Sequence, residues 1–244
     1  MAGRRGWVPI LCLVGAVLAP RMGEAQDSVT VVPGKQYSAG SLHRFVFGAG
    51  YRQLWTTPIR VPVLDLGRYA GGLTPLEKGG GQQTVSLRFR AADGREYSFR
   101  SVDKDPSSVL PEDLQGSVAE KIIRDQTSSA HPVGALVVAE LLEAVGVLHA
   151  EPLLAVMPDD PRLGEFRAEF AGMLGMLELR PNEEESPEAS FAGAIEVVGS
   201  EKFLEEIKKN PFVRPDARAF LRARLMDLFL GDWDRHRDQW RWAL

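Results

Sequence analysis

Residues 79–102 read Gly79-Gly80-Gly81-Gln82-Gln83-Thr84-Val85-Ser86-Leu87-Arg88-Phe89-Arg90-Ala91-Ala92-Asp93-Gly94-Arg95-Glu96-Tyr97-Ser98-Phe99-Arg100-Ser101-Val102. After the glycines, Val85, Leu87 and Phe89 alternate with Thr84, Ser86 and Arg88, the period of a strand with one buried face. Ala91-Ala92-Asp93-Gly94 is a hairpin signal. Tyr97 and Phe99 then alternate with Ser98 and Arg100 on a return strand. The stretch therefore predicts glycine loop, strand, tight turn, strand, and upstream Gly71-Gly72 and Gly79-Gly80-Gly81 bracket a segment expected to be short and turn-rich.

Downstream, Pro111 opens a predicted helix reaching about Gln126, with Leu114, Val118 and Ile122 on one face. At 100° per residue Asp125 falls on that face, which is expected to dock on the sheet, and Glu120 points away from it. His131-Pro132 punctuates, and a second apolar helix is expected from Val133 to about Val145, stopped by Gly146. Two strands follow, over 152–157 and 173–179, separated by the turn Asp159-Asp160-Pro161. Pro181 to Ser190, with Glu183-Glu184-Glu185, is a polar linker and the best internal boundary; its acidic triplet reads as a solvated loop. Beyond it, Ser200 is expected to cap a short helix. Pro215-Asp216 opens a longer one, with Leu221, Leu225 and Leu228 on one face and Gly231 at its end. Strands and a helix first, then mostly helices, make the expected fold α+β.

Upstream, residues 26–60 contain the strand-like Val29-Thr30-Val31-Val32 and an aromatic, glycine-broken stretch from Phe45 to Trp55, expected to wrap onto the domain. Residues 1–25 read as a secretory signal peptide: Arg4 and Arg5 precede the apolar run Trp7 to Leu18, and Gly23-Glu24-Ala25 offers a cleavable edge. That run is too short to span a bilayer stably. Removing it takes away the only cysteine, Cys12, and leaves 26 basic against 32 acidic residues. The mature chain then has neither disulfide nor thiol chemistry, which fits a bacterial periplasm or outer-membrane-associated location.

The whole chain has 244 residues, 44% apolar and 25% charged, with a formal net charge of −4. This profile excludes a disordered tail, a collagen-like repeat and a many-spanning membrane protein. No basic excess is present to hold nucleic acid, and no polybasic tract for anionic lipid.

The densest group of ionisable residues is Gly231-Asp232-Trp233-Asp234-Arg235-His236-Arg237-Asp238-Gln239-Trp240. Trp233, Trp240 and Trp242 interleave with the charges, so part of the segment is expected to be packed, and packed charge is where function concentrates.

The run Gly231-Asp232-Trp233-Asp234-Arg235-His236-x-x-Gln239 resembles the catalytic loop of atypical kinases, in which an Asp-Arg-His run is followed shortly by Asn. Phosphatidylinositol kinases, secretory-pathway casein kinases and HipA-type kinases carry versions of it. The resemblance implies ATP and Mg²⁺ as cofactors and a hydroxyl of a protein, lipid or small molecule as phosphate acceptor. Within the Asp234-Arg235-His236 run, Asp234 would orient or deprotonate the attacking hydroxyl. Gln239 would stand at the metal-binding Asn. Gly79, Gly80, Gly81, Gln82, Gln83 and Thr84 lie where such kinases place the loop over the phosphates, where glycine lets backbone N–H groups approach an anion. Arg100 matches the phosphate-pairing lysine, with Lys104 the nearest lysine, and Asp125 is the implied acidic partner of that cation.

The implied architecture is a kinase-like N-lobe over 61–181, a linker over 182–190 and the start of a helical C-lobe over 191–244. The chain is similar to the front part of longer exported bacterial proteins, some joined to an outer-membrane barrel. No Asp or Glu follows Asp238 to supply the second metal ligand such kinases need, so a fragment or an inactive kinase-like binding module is expected. A third reading takes Asp232, Asp234, His236 and Asp238 as a metal cluster of phosphoesterase type. His43, His131 and His149 are expected to be isolated structural histidines.

Overall fold

A computed structural model describes residues 27–80, 84–105, 110–181, 191, 193–194, 196–210 and 212–243. The fold is α+β. Strands β3 (Leu73–Gly79), β4 (Ser86–Ala91), β5 (Glu96–Ser101), β6 (Leu153–Val156) and β7 (Leu174–Arg180) form an antiparallel sheet in the order β3-β4-β5-β7-β6. The β4–β5 hairpin is the one its alternation predicts: Phe89 faces Tyr97 and Leu87 faces Phe99 across the ladder. At its turn the Asp93 carboxylate accepts from the Arg95 N–H (3.0 Å).

Each face of the sheet has its own fate, because side chains alternate along every strand. One face carries Leu87, Phe89, Tyr97, Phe99 and Leu177. It is closed by Leu64 and Leu66 from the segment before β3, and by Met157, Leu163 and Phe170 from the β6–β7 connection. That connection ends in the short helix α5 (Arg167–Phe170). Gly175 permits this packing, since a Cβ there would lie 2.3 Å from the Phe99 ring.

Among the described residues the opposite face is only half covered. Val102 and Met176 pack with Tyr37, Trp55 and, on α4 (Gly134–Ala144), Ala135 and Leu136. The rest of that face is polar: Ser86, Arg88 and Arg90 on β4, Glu96, Ser98 and Arg100 on β5, Glu178 and Arg180 on β7.

Strands β1 (Ser28–Val31) and β2 (Ile59–Pro62) pair antiparallel, and between them lie α1 (Ser41–Phe47) and α2 (Arg52–Thr56). The Trp55 indole N–H donates to the Ala130 carbonyl (2.8 Å). The Tyr37 hydroxyl donates to Asp103 at 2.5 Å. Burial and that carboxylate push the Tyr37 phenol up to about 12.

The helix expected from Pro111 begins only at Val118. Gly116 adopts φ +75°, a left-handed conformation that breaks the run. Ser117 then caps α3 (Val118–Gln126), its hydroxyl accepting from the Glu120 N–H. Nor does the apolar face of α3 dock on the sheet: Val118 is 71% and Ile122 39% exposed. The sheet is covered by α4 instead, whose first turn carries the apolar contacts.

The C-terminal elements are β8 (Val197–Gly199), α6 (Ser200–Lys209), α7 (Ala217–Leu230) and β9 (Arg241–Ala243), with β8 and β9 antiparallel. Phe203 stacks on Trp242, and Phe220 packs against Trp240 and Trp242. Asp216 caps α7, accepting from the N–H groups of Arg218 and Ala219. Ser200 is not a cap: that position is Gly199, and the Ser200 hydroxyl donates to the Arg237 carbonyl and accepts from the Trp242 indole. Among the described residues no helix is long and apolar enough to cross a membrane. The expected signal peptide, and all but Pro181 of the expected 181–190 linker, lie outside those residues.

Candidate functional site

The polar half of the open sheet face gathers part of the expected site. Gly79 ends β3 and Ser86 begins β4, so residues 80–85 connect these two strands. Gly80 has φ +88°, and a Cβ there would lie 2.1 Å from the Thr84 carbonyl oxygen. Only glycine fits that close approach. Gly81, Gln82 and Gln83 lie outside the described residues. Arg100 stands directly across from Ser86 and therefore at the glycine-turn end of the sheet.

Four guanidiniums share this face, and three are engaged. Arg88 pairs with Glu77, while Arg90 and Arg180 both pair with Glu96. The Arg100 side chain is exposed and makes no hydrogen bond or ion pair among the described residues. One strand over, Glu178 sits opposite Ser98 and diagonal to Arg100. Burial pushes its carboxyl above the usual range, and the Arg100 charge opposes that rise.

Asp125 is elsewhere. Its expected partner was Arg100 or Lys104, but Arg52 binds it bidentately, Nη1 to Oδ1 at 2.7 Å and Nη2 to Oδ2 at 2.6 Å. His43 Nε2 lies 2.9 Å from the same carboxylate, so His43 is not isolated. Arg52 also donates to the carbonyls of Tyr37 and Gly48. The Arg52 hydrogen bonds hold Asp125 below the usual carboxylate range against the opposing effect of burial, with His43 adding to the lowering. The physical reason is anchorage: α3 is tied to the α1–α2 segment rather than to β5. Lys104 is exposed beyond the end of β5, with its backbone N–H on Asp103. His131 and His149 make the local bonds expected of structural histidines, to the Val133 N–H and the Val147 carbonyl.

The Asp-Arg-His segment lies between α7 and β9. Asp227, buried in the last turn of α7, accepts from Arg224 (2.7 Å), and Arg235 approaches its other oxygen at 3.5 Å. Arg235 also grips Asp232 through Nε and Nη2, at 3.0 and 2.8 Å. The guanidinium groups of Arg224 and Arg235 each sit 5.7 Å from the Trp240 ring centre. Arg235 is thus a clamp that fixes the loop.

Asp234 is exposed and unbonded among the described residues, and His236 approaches only Asp238, at 3.7 Å. Gln239 is exposed in a single 3₁₀ turn. No three His, Cys, Asp or Glu side chains converge to hold a metal ion among the described residues. Asp232, one member of the proposed metal cluster, is committed to Arg235. Gln239 has no such metal-holding group around it among the described residues. Within the described residues no hydrogen bond or ion pair links Asp234, Arg235, His236 or Gln239 to the glycine turn or Arg100; α7 is tied instead to the end of α4, through Arg222 donating to the carbonyls of Val145 and Gly146.

Sequence reasoning missed Arg52, Asp227 and Glu178. Asp227 did leave a signal, as a lone acid in the apolar run Leu225-Met226-Asp227-Leu228-Phe229. Arg52 left none, because its partner lies 73 residues away.

No protein-family model matches the chain, and no curated protein or solved structure is significantly similar to it.

Proposed function

We propose that this chain is an exported, kinase-like protein whose sheet binds the phosphates of a nucleotide. The observation that carries the reading is Arg100, the guanidinium on the open sheet face without a direct partner, beside a turn in which Gly80 brings backbone close to backbone. A guanidinium offers phosphate a planar, bidentate set of donors, and a glycine turn adds backbone N–H groups. The order of elements also supports it: glycine turn in a hairpin, third strand carrying the cation, helices, two further strands, then helices and the Asp-Arg-His loop. In an active kinase of this kind Asp234 would receive the hydroxyl proton of the acceptor, and its exposure leaves its carboxylate accessible for that task. Bound nucleotide would supply the transferable phosphoryl group.

The test is thermal unfolding of the chain with ATP, with ATP and Mg²⁺, and with a non-hydrolysable analogue. Ligand at about a hundred times its Kd adds ~2.7 kcal/mol to stability. A rise of the melting midpoint that Arg100→Ala abolishes is the expected result. A cooperative melt indifferent to every nucleotide overturns the reading.

A second reading, a kinase-like module that binds without transferring phosphate, is favoured by the commitment of Asp125 to Arg52 and His43. It expects nucleotide stabilisation with no phosphate released and no acceptor labelled. Export is tested by the mass of the mature protein, which is expected to begin at Gln26.

A further inference from the structure

We infer that Glu178 contacts the nucleoside part of the ligand that Arg100 holds by phosphate, so that the sheet face selects a nucleotide over a bare polyphosphate. The inference rests on the nucleotide reading and assigns it a second binding residue.

The argument is positional. Arg100 and Ser98 follow each other on one face of β5, and Met176 and Glu178 lie opposite them on β7. Same-face neighbours on a strand are about 7 Å apart, so Glu178 lies roughly that far along the sheet from Arg100. The displacement is away from the glycine turn and towards Arg180, where β7 ends. A phosphate on Arg100 thus leaves a ligand's next group lying over Ser98 and Glu178.

The other carboxylates of this face have cations: Glu77 has Arg88, and Glu96 has Arg90 and Arg180. Glu178 accepts no hydrogen bond among the described residues and is half-buried. A half-buried carboxyl without a donor is an open acceptor, and a nucleoside supplies donors as ribose hydroxyl or base amino groups. A polyphosphate supplies none. At Glu178 it meets a carboxyl to which it can donate nothing.

The experiment compares ATP with inorganic tripolyphosphate on the wild-type chain, Glu178→Leu and Glu178→Gln, reading Kd from the midpoint shift as ligand is titrated. The unliganded melts report folding in the same series. Losing one hydrogen bond to a charged group corresponds to a factor of about ten or more in Kd. Glu178→Leu is expected to weaken ATP by that factor and to leave tripolyphosphate unchanged or tighter. Glu178→Gln, which keeps an acceptor oxygen, is expected to recover most of the ATP affinity.

Equal loss for both ligands overturns the inference, because Glu178 then acts only through the sheet. Unchanged ATP affinity, or wild-type affinity no better for ATP than for tripolyphosphate, also overturns it while leaving Arg100 as an anion site. A wild-type chain that responds to neither ligand overturns the nucleotide reading and this inference together.

Discussion

Arg52 and Arg100 are the same side chain in two settings, and each lies near an acid. Arg52 is buried, holds Asp125 through two parallel bonds and donates to two carbonyls as well. Arg100 is exposed, diagonal to Glu178, and its guanidinium makes no hydrogen bond or ion pair among the described residues. The first has spent its donors on holding α1, α2 and α3 together. The second has all of them free for a ligand. A guanidinium becomes a candidate binding group through what its neighbours leave unpaired rather than through its position in a motif.

The largest effect should come from breaking the satisfied cluster. Arg52→Leu leaves a carboxylate that is only 17% exposed with His43 as its remaining side-chain partner, and breaking such a buried pair typically costs about 3–5 kcal/mol. Chemical denaturation should show this as a lower midpoint. Arg100→Ala, in contrast, should stay within about 0.5 kcal/mol of wild type while losing nucleotide stabilisation. Equal destabilisation by both changes would erase the distinction.

The acid limb sharpens the same contrast. Asp125 has its folded-state value depressed, so its contribution is full above the ordinary carboxylate range near about 4 and is lost as pH falls through the lower folded value. Wild type and Arg52→Leu should therefore converge in stability on acidification. A constant gap down to the lowest pH at which the protein folds would show that the pair is not its source.

The C-terminal loop repeats the comparison with smaller amplitude. Arg235→Ala removes the clamp on Asp232 and one cation from buried Asp227, and is expected to cost about 1.5–3 kcal/mol. Asp234→Ala should change stability by no more than about 0.5 kcal/mol and remove any phosphate transfer. Melting curves of the two variants, alongside a transfer assay, separate a structural arginine from a reactive aspartate.

The smallest effect concerns Glu178. Burial raises its folded-state value, so the folded chain holds this proton more tightly than the unfolded one, and the group's contribution to stability falls as pH rises through that value. Glu178→Gln should be more stable than wild type at neutral pH, by less than about 1 kcal/mol, with the difference vanishing in acid. A loss of stability at neutral pH would mean that the carboxylate is paired.

Much of the fold was legible because its signals are short-range. The alternation of Leu87 and Phe89 with Arg88 and Arg90, the Asp93-Gly94 turn and the start of the long helix at Asp216 each act within a few residues, and each appears where the sequence puts it. Gly116 is the instructive miss: Leu114, Val118 and Ile122 have helical spacing, yet one left-handed glycine between the first two delays the helix to Val118. The candidate site was half legible. Arg100 and the glycine segment come to the same end of the sheet because β4 pairs with both β3 and β5, whereas the pairing of Asp125 depends on a segment 73 residues upstream.

The sequence by itself determined strands β1, β6 and β7, the β4–β5 hairpin and the charge pattern that leaves one sheet face polar, since backbone propensity and side-chain period are local properties; β3 instead runs through the segment expected to be turn-rich. Tertiary structure alone decided which helix covers the sheet, that Arg52 rather than Arg100 neutralises Asp125, and that Arg235 clamps the loop while Asp234 stays open. Those outcomes turn on competition between like groups for one partner. Distance and burial settle it only after the chain has folded.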